Sequence, residues 1–410
     1  MKFDDETFEE ALRDPQTWEA VDALRDRPVR WNEAVALKVR IDAEDAAAGR
    51  LLAPLLRSPL RFRNAAIARN PKAQTAGVVR YLCAAAHERH EKRPELSLEL
   101  TLCAYEIALA LGPAASSSPR FCRALSLRER ANALRYLGRF IEALEALDSA
   151  EELFDGSPAT DPHDVAIVNY IRSTVFVEIE RLEEARMLSR KAARVFHQYG
   201  DRPRERAALM SEATSLHFTG RNSEAARVYA RVAAQARADG DRILLAHALN
   251  NAASAYVELE RLDDAESSLV EALVVFDELD VTTEKARVAW SIAYMQVRRR
   301  DLVTGALRLD AARAELQRVG LVNDHALATL DWAFARLALG EPSGVAAACE
   351  RIVVRFESEG MMKSARLALA HLHEALAAGS ATPSLVSEVR KYIEHLPAQP
   401  DLPFIFAAGS

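Results

Sequence analysis

Apolar residues recur three and four apart over Leu245–Leu259, then again over Leu262–Leu279, with the polar pair Glu260-Arg261 between them. This spacing predicts two helices joined by a short break. Asp280 opens the connection to the next first helix. The same text repeats along the chain. Ala131, Ser173, Ala213, Ala253, Ala293 and Ala333 are separated by steps of 42, 40, 40, 40 and 40 residues. Ala143, Ala185, Ala225, Ala265, Gly305 and Val345 keep that spacing, and so do the turn positions Gly138, Glu180, Gly220, Glu260, Arg300 and Gly340. A period of this length means stacked helix pairs rather than one closed core. Small residues recur because helix axes approach to about 8–10 Å only where Cβ is small.

These repeats resemble the tetratricopeptide repeat. LGRFIEALEALDSAEELF (137–154) is similar to that family's turn and second helix, and NNAASAYVELERLDDAESSLVEAL (250–273) to both helices. The resemblance covers about 124–354 and extends more weakly to 366–396, where the next forty-residue step lands on Ser380. Repeats of 40 rather than about 34 residues are similar to the long arrays of bacterial peptide-sensing regulators and of large bacterial transcription activators. The resemblance implies an all-α fold, a right-handed α-solenoid of helix pairs with an N-terminal helical cap. First helices would line its concave surface. The expected organisation is a basic helical module over 1–73, a divergent helix pair over 74–112, the array over 113–396 and a Pro-rich tail over 397–410. In the first module helical text runs over 5–25 and 32–53, with breaks at Pro15, Pro28, Pro54, Pro59 and Pro71. Gly305 and Val345 mark degenerate repeats.

Counting from the small-residue ruler gives the side chains expected to face a ligand. They are Arg128, Asn132 and Arg135, then Tyr170 and Thr174, then Met210, Thr214 and His217. His247, Asn250 and Ser254 follow, and after them Arg287, Trp290, Tyr294 and Arg298, with Phe334 in the sixth repeat. Asn offers a peptide both a donor and an acceptor. Trp and Tyr supply anchors, and Arg holds a carboxylate bidentately. Trp290 and Phe334 would equally suit packing between neighbouring first helices. Asn250 is the more telling, because Asn gains little inside a helix unless something bonds it.

Composition narrows the chemistry. Half of the 410 residues are apolar and 28% are charged, with only 15 Gly and 16 Pro. The net charge of −7 excludes no partner class. Residues 24–72 nevertheless hold eleven Lys/Arg against five acids, an excess of six. A solvated surface, an acidic protein partner and nucleic acid all fit this stretch. No helix-turn-helix is evident in 30–70, and Trp31 and Phe62 are too few for a stacking platform. Cys83, Cys103, Cys122 and Cys349 form no C-x-x-C pair and read as buried free thiols of a reducing compartment. The acidic start, Met-Lys-Phe-Asp-Asp-Glu, and the absence of a membrane-length apolar run point to the cytoplasm.

The sequence has no phosphate-binding Gly loop, G-x-S-x-G or H-E-x-x-H. His87 and His90, three apart, lack a third ligand recognisable from sequence. No catalytic residue, cofactor or metal is therefore expected. The expected function is a non-enzymatic scaffold for a protein or peptide. The alternative is a regulator that senses a peptide through the array and contacts nucleic acid through its basic N-terminal part.

Overall fold

Helix after helix in this chain ends on a residue in the left-handed region. Gly138, Glu180, Gly200, Gly220, Gly240, Glu260, Asp280, Arg300, Gly320 and Gly340 have φ between 53 and 80°. From Glu180 to Gly340 they recur every twenty residues. At Gly200 the chain's own N–H donates to the His197 carbonyl (3.1 Å) while Asp201 N–H donates to Phe196 (2.9 Å). That paired closure satisfies carbonyls the helix would otherwise leave open. The within-repeat turns were expected. Gly200, Gly240, Asp280 and Gly320 add the between-repeat turns, which use the same joint.

The computed structural model describes residues 28–55, 67, 70–113, 115–155, 161–358 and 363–395. Among them the regular elements are α-helices, with one short 3-10 turn at Pro71–Ala73. Two compact units divide the chain, Met1–Val168 and Asn169–Ser410.

The first unit contains α1 (Pro28–Leu55), α2 (Ala76–His87), α3 (Pro94–Ala110), α4 (Pro119–Tyr136) and α5 (Phe140–Asp155), and the start of α6 (Pro162–Glu178). Helix α1 begins at Pro28 and runs through Pro54, so neither proline breaks it. Pro28 sits at the first helical position, where its missing N–H costs nothing. Helix α2 packs on α1, α3 and α4. Leu52, Val79, Leu82, Leu100 and Ile107 fill the core between them. Six of the basic residues noted above, Arg25, Arg27, Arg57, Arg61, Arg63 and Arg69, lie outside the described residues, as do Pro15, Pro59 and the tail 397–410.

The second unit carries the regular array. Helices α7 (Leu182–Gln198), α8 (Arg202–Phe218), α9 (Asn222–Ala238), α10 (Arg242–Glu258), α11 (Leu262–Glu278), α12 (Thr282–Arg298), α13 (Leu302–Arg318) and α14 (Val322–Ala338) each have 17 residues. Consecutive helices pack on each other, and the first helices α8, α10, α12 and α14 also touch from one repeat to the next. The small-residue ruler lies at these contacts: Ala213, Ala225, Ala253, Ala265, Ala293 and Ala333 are buried. Gly305 is degenerate for a steric reason. A Cβ there would stand 2.7 Å from Val297 Cγ2 and 3.1 Å from the Val297 nitrogen.

Second helices begin with a clasp the sequence reading did not notice. Arg181 pairs with Glu184, Arg221 with Glu224 and Arg261 with Asp264, three residues on. Arg139 and Glu142 do the same in the first unit. The acid lies in the first turn, where the helix dipole favours it. Beyond α14 the pattern loosens. Helices α15 (Val345–Ser358), α16 (Lys363–Ala377) and α17 (Pro383–His395) follow, and α17 packs against α14. The positive φ of this last stretch falls on Gly379, one residue before Ser380. Val345, Cys349, Leu369, Leu372, Val386 and Val389 complete the core there.

No described helix is long and apolar enough to cross a membrane. All four cysteines are buried and none is in a disulfide.

Candidate functional site

On α12 and α14 the expected binding residues are held by the chain itself. Trp290 donates its indole N–H to Asp331 Oδ2 (2.8 Å), and Arg390 of α17 bonds Asp331 Oδ1 (2.5 Å). The Asp331 side chain is 3% exposed. The Arg390 guanidinium also stands 5.5 Å above the Tyr294 ring. Arg287 is clamped between Asp324 and Glu284, each at 2.7 Å. Arg298 pairs with Glu258 at 2.9 Å. Arg287 and Arg298 keep their proton more firmly than usual, Arg287 through its bond to Asp324 against the opposing effect of burial. A ligand carboxylate would have to displace an acid already in place.

On α6 to α8, Thr174 donates to the Ile171 carbonyl at 2.7 Å, a bond within its own helix. Tyr170 meets Phe196 edge-on, with ring centroids 6.5 Å apart. His217 Nδ1 lies 2.7 Å from Asn222 Oδ1, and Thr214 shares a hydrogen bond with the buried Tyr229 hydroxyl (3.0 Å). His247 packs against Phe276.

Asn250, on α10, stands apart. Its side-chain oxygen is buried and has no hydrogen-bond partner among the described residues. Met210 and Trp290 occupy the equivalent places one repeat before and after.

In the first unit, Arg128 and Asn132 do not face an open groove, because α2 lies directly on α4. They are 7% and 6% exposed. Arg128 pairs with Glu129 (2.9 Å) and Asp164 (2.8 Å). Asn132 Nδ2 lies 3.1 Å from His90 Nδ1, and Arg135 donates to Asn132 Oδ1 (3.1 Å). The expectation of open-groove residues fails for this pair: the divergent helix pair supplies partners that an array end would lack.

Two residues that organise these networks were not foreseen, Glu129 and Asp331. A signal existed. Both stand two positions before a ruler residue, Ala131 and Ala333, where the intermediate repeats carry Ile171, Ser211, Asn251 and Ser291. Buried acids at one repeat position mark sites where something cationic or N–H-bearing must answer.

A scan against protein-family models gives no match, and neither does a search of curated proteins. Solved structures do match. A Rap protein complexed with competence and sporulation factor has a TM-score of 0.56 at 13% identity, over 88% of this chain and 99% of that one. A STAND-family signal-transduction ATPase with a tetratricopeptide repeat sensor, from Pyrococcus horikoshii, gives 0.58 at 13% identity, over 88% of this chain and 53% of that one. A Rap conjugation gene regulator of the plasmid pLS20, in complex with the Phr* peptide, gives 0.52 at 11% identity, over 80% and 98%. The fold of this chain is a tetratricopeptide-like array of stacked helix pairs, similar to those of bacterial peptide-sensing regulators.

Proposed function

We propose that the chain is a non-enzymatic scaffold holding an extended peptide or protein segment along its first helices. The observation that carries this reading is the buried, unpartnered oxygen of Asn250. A buried acceptor left without a bond costs about 1–3 kcal/mol. A peptide N–H would remove that cost. First helices that touch are about 10 Å apart, and an extended peptide rises about 3.3 Å per residue. Each repeat therefore corresponds to roughly three ligand residues, and Met210, Asn250 and Trp290 lie on successive steps. Two of the fold neighbours were solved as complexes, the Rap protein with competence and sporulation factor and the pLS20 regulator with the Phr* peptide.

The test is a peptide-array screen with the purified chain, followed by calorimetry on the best binder. Asn250→Ala should weaken binding about tenfold, the worth of one net hydrogen bond. Unchanged affinity in a folded variant would remove Asn250 from the site and this reading with it.

A further inference from the structure

The last turn of α2 and the middle of α4 form a cluster that the peptide reading does not use. His87 is the final residue of α2, and His90 lies in the turn after it rather than on the helix. Glu129 reaches them from α4. His87 Nδ1 stands 3.1 Å from Glu129 Oε2, and one ligand atom from each of the three side chains lies within 4.8 Å of the others. We propose that His87, His90 and Glu129 bind one divalent cation of the zinc type.

The donor set fits that class. Two imidazoles and one carboxylate suit borderline cations such as Zn²⁺, whereas Ca²⁺ and Mg²⁺ take cages of oxygen. Zinc bonds of about 2.0–2.2 Å draw tetrahedral ligands to roughly 3.3 Å from one another. The cluster must therefore close by up to about 1.5 Å. His87 can supply that movement, because its side chain is 52% exposed. The same exposure gives the cation a route from solvent. Three protein ligands leave a fourth position to water.

The surroundings are prepared as well. Glu129 is 5% exposed, and Arg128 holds its other oxygen at 2.9 Å, fixing the carboxylate with Oε2 toward the histidines. Arg128 is in turn held by Asp164 at 2.8 Å, which keeps its guanidinium in place against Glu129. The Tyr136 ring stacks on His90 at 4.9 Å. Asn132 bonds the His90 ring now, and metal binding exchanges this hydrogen bond for the metal bond. Cys83 lies nearby but is not a fourth ligand. Burial raises its thiol to about 12, and it bonds Ser126 instead.

The experiment uses the full chain, stripped with a chelator and titrated with ZnCl₂ by calorimetry, with Co²⁺ absorption as the second measurement. One Zn²⁺ per chain is expected, weakened at least about tenfold in His87→Ala and in His90→Ala. Co²⁺ should show ligand-field bands without sulfur charge transfer. Because His87 is exposed, its variant is expected to fold, and circular dichroism checks this. No binding at millimolar zinc, binding unchanged in folded His87→Ala, or a sulfur charge-transfer band would each overturn the proposal.

Discussion

Trp290 and Asp331 meet across one repeat, the indole N–H donating to the buried carboxylate at 2.8 Å. Arg390 takes the carboxylate's other oxygen, so a single side chain ties α12, α14 and α17 together. Asp331→Ala would remove the acceptor that the indole N–H and the guanidinium share. Removing one member of a buried pair costs about 3–5 kcal/mol, and the partial exposure of Arg390 (20%) lowers this to about 2–3 kcal/mol. Urea denaturation should show the loss. Hydrogen exchange should place it in α14 and α17, and unchanged protection there would show that the triad is not what holds the end of the array.

Gly305→Ala should destabilise the second unit by about 1–3 kcal/mol, because the new methyl meets Val297 Cγ2 at 2.7 Å. Adding Val297→Ala removes that atom but not the backbone nitrogen at 3.1 Å. The double variant should therefore recover part of the loss. Full recovery would mean that the two helices are not held at backbone contact.

Glu212 gives the array a pH response. It is 9% exposed, and burial raises its pKa, opposed by Arg190, Arg186 and Arg194 of α7 and by Arg231 of α9. A carboxyl whose pKa is higher folded than unfolded binds its proton more readily in the native state. It thus destabilises the fold at neutral pH, and that cost fades as pH falls toward its unfolded value. Glu212→Gln should be the more stable protein at pH 7 and equal to the parent near pH 4. Parallel denaturation curves at both pH values decide it. Equal stability at pH 7 would mean that the four arginines fully compensate.

The thiols should be inert in the folded chain. Burial raises Cys83 and Cys349 to about 12 and Cys122 to about 11. The thiolate is the reactive form. Labelling with a thiol reagent at pH 8 should proceed only as fast as the chain opens, and should become rapid in urea. Fast labelling without denaturant would contradict the burial seen here.

How far the sequence spoke depended on whether a residue's job repeats. Ala213, Ala253 and Ala293 were legible because every crossing needs a small Cβ, so the constraint is written many times. The joints were half legible. Arg300 was on the ruler although it is not glycine, but Gly200 and Gly320, which have the same backbone as Gly220, lay off it. Single-use contacts left only the shared repeat position of Glu129 and Asp331, which does not name the partner of either. Glu129 meets His87 from 42 positions away, and Arg390 meets Asp331 from 59, with no second instance to reveal either pairing. The ligand face suffered similarly. Periodicity selects side chains on one side of a helix, but Arg287 and Arg298 already have acids across the repeat step. Of the side chains expected to face a ligand, Asn250 is the one with a buried polar atom that has no hydrogen-bond partner among the described residues.

The uniform joint has a consequence for how such a chain can change length. Between Glu180 and Gly340, the turn inside a repeat and the turn between repeats share one backbone form. An in-frame gain or loss of forty residues would restore every joint and keep each helix on its own side of the stack. A change of twenty would also restore the joints, yet it would send outward every side chain that had faced inward. The stretch can thus grow or shrink by whole pairs, copied like beads onto a string, while its two irregular ends keep their own private contacts.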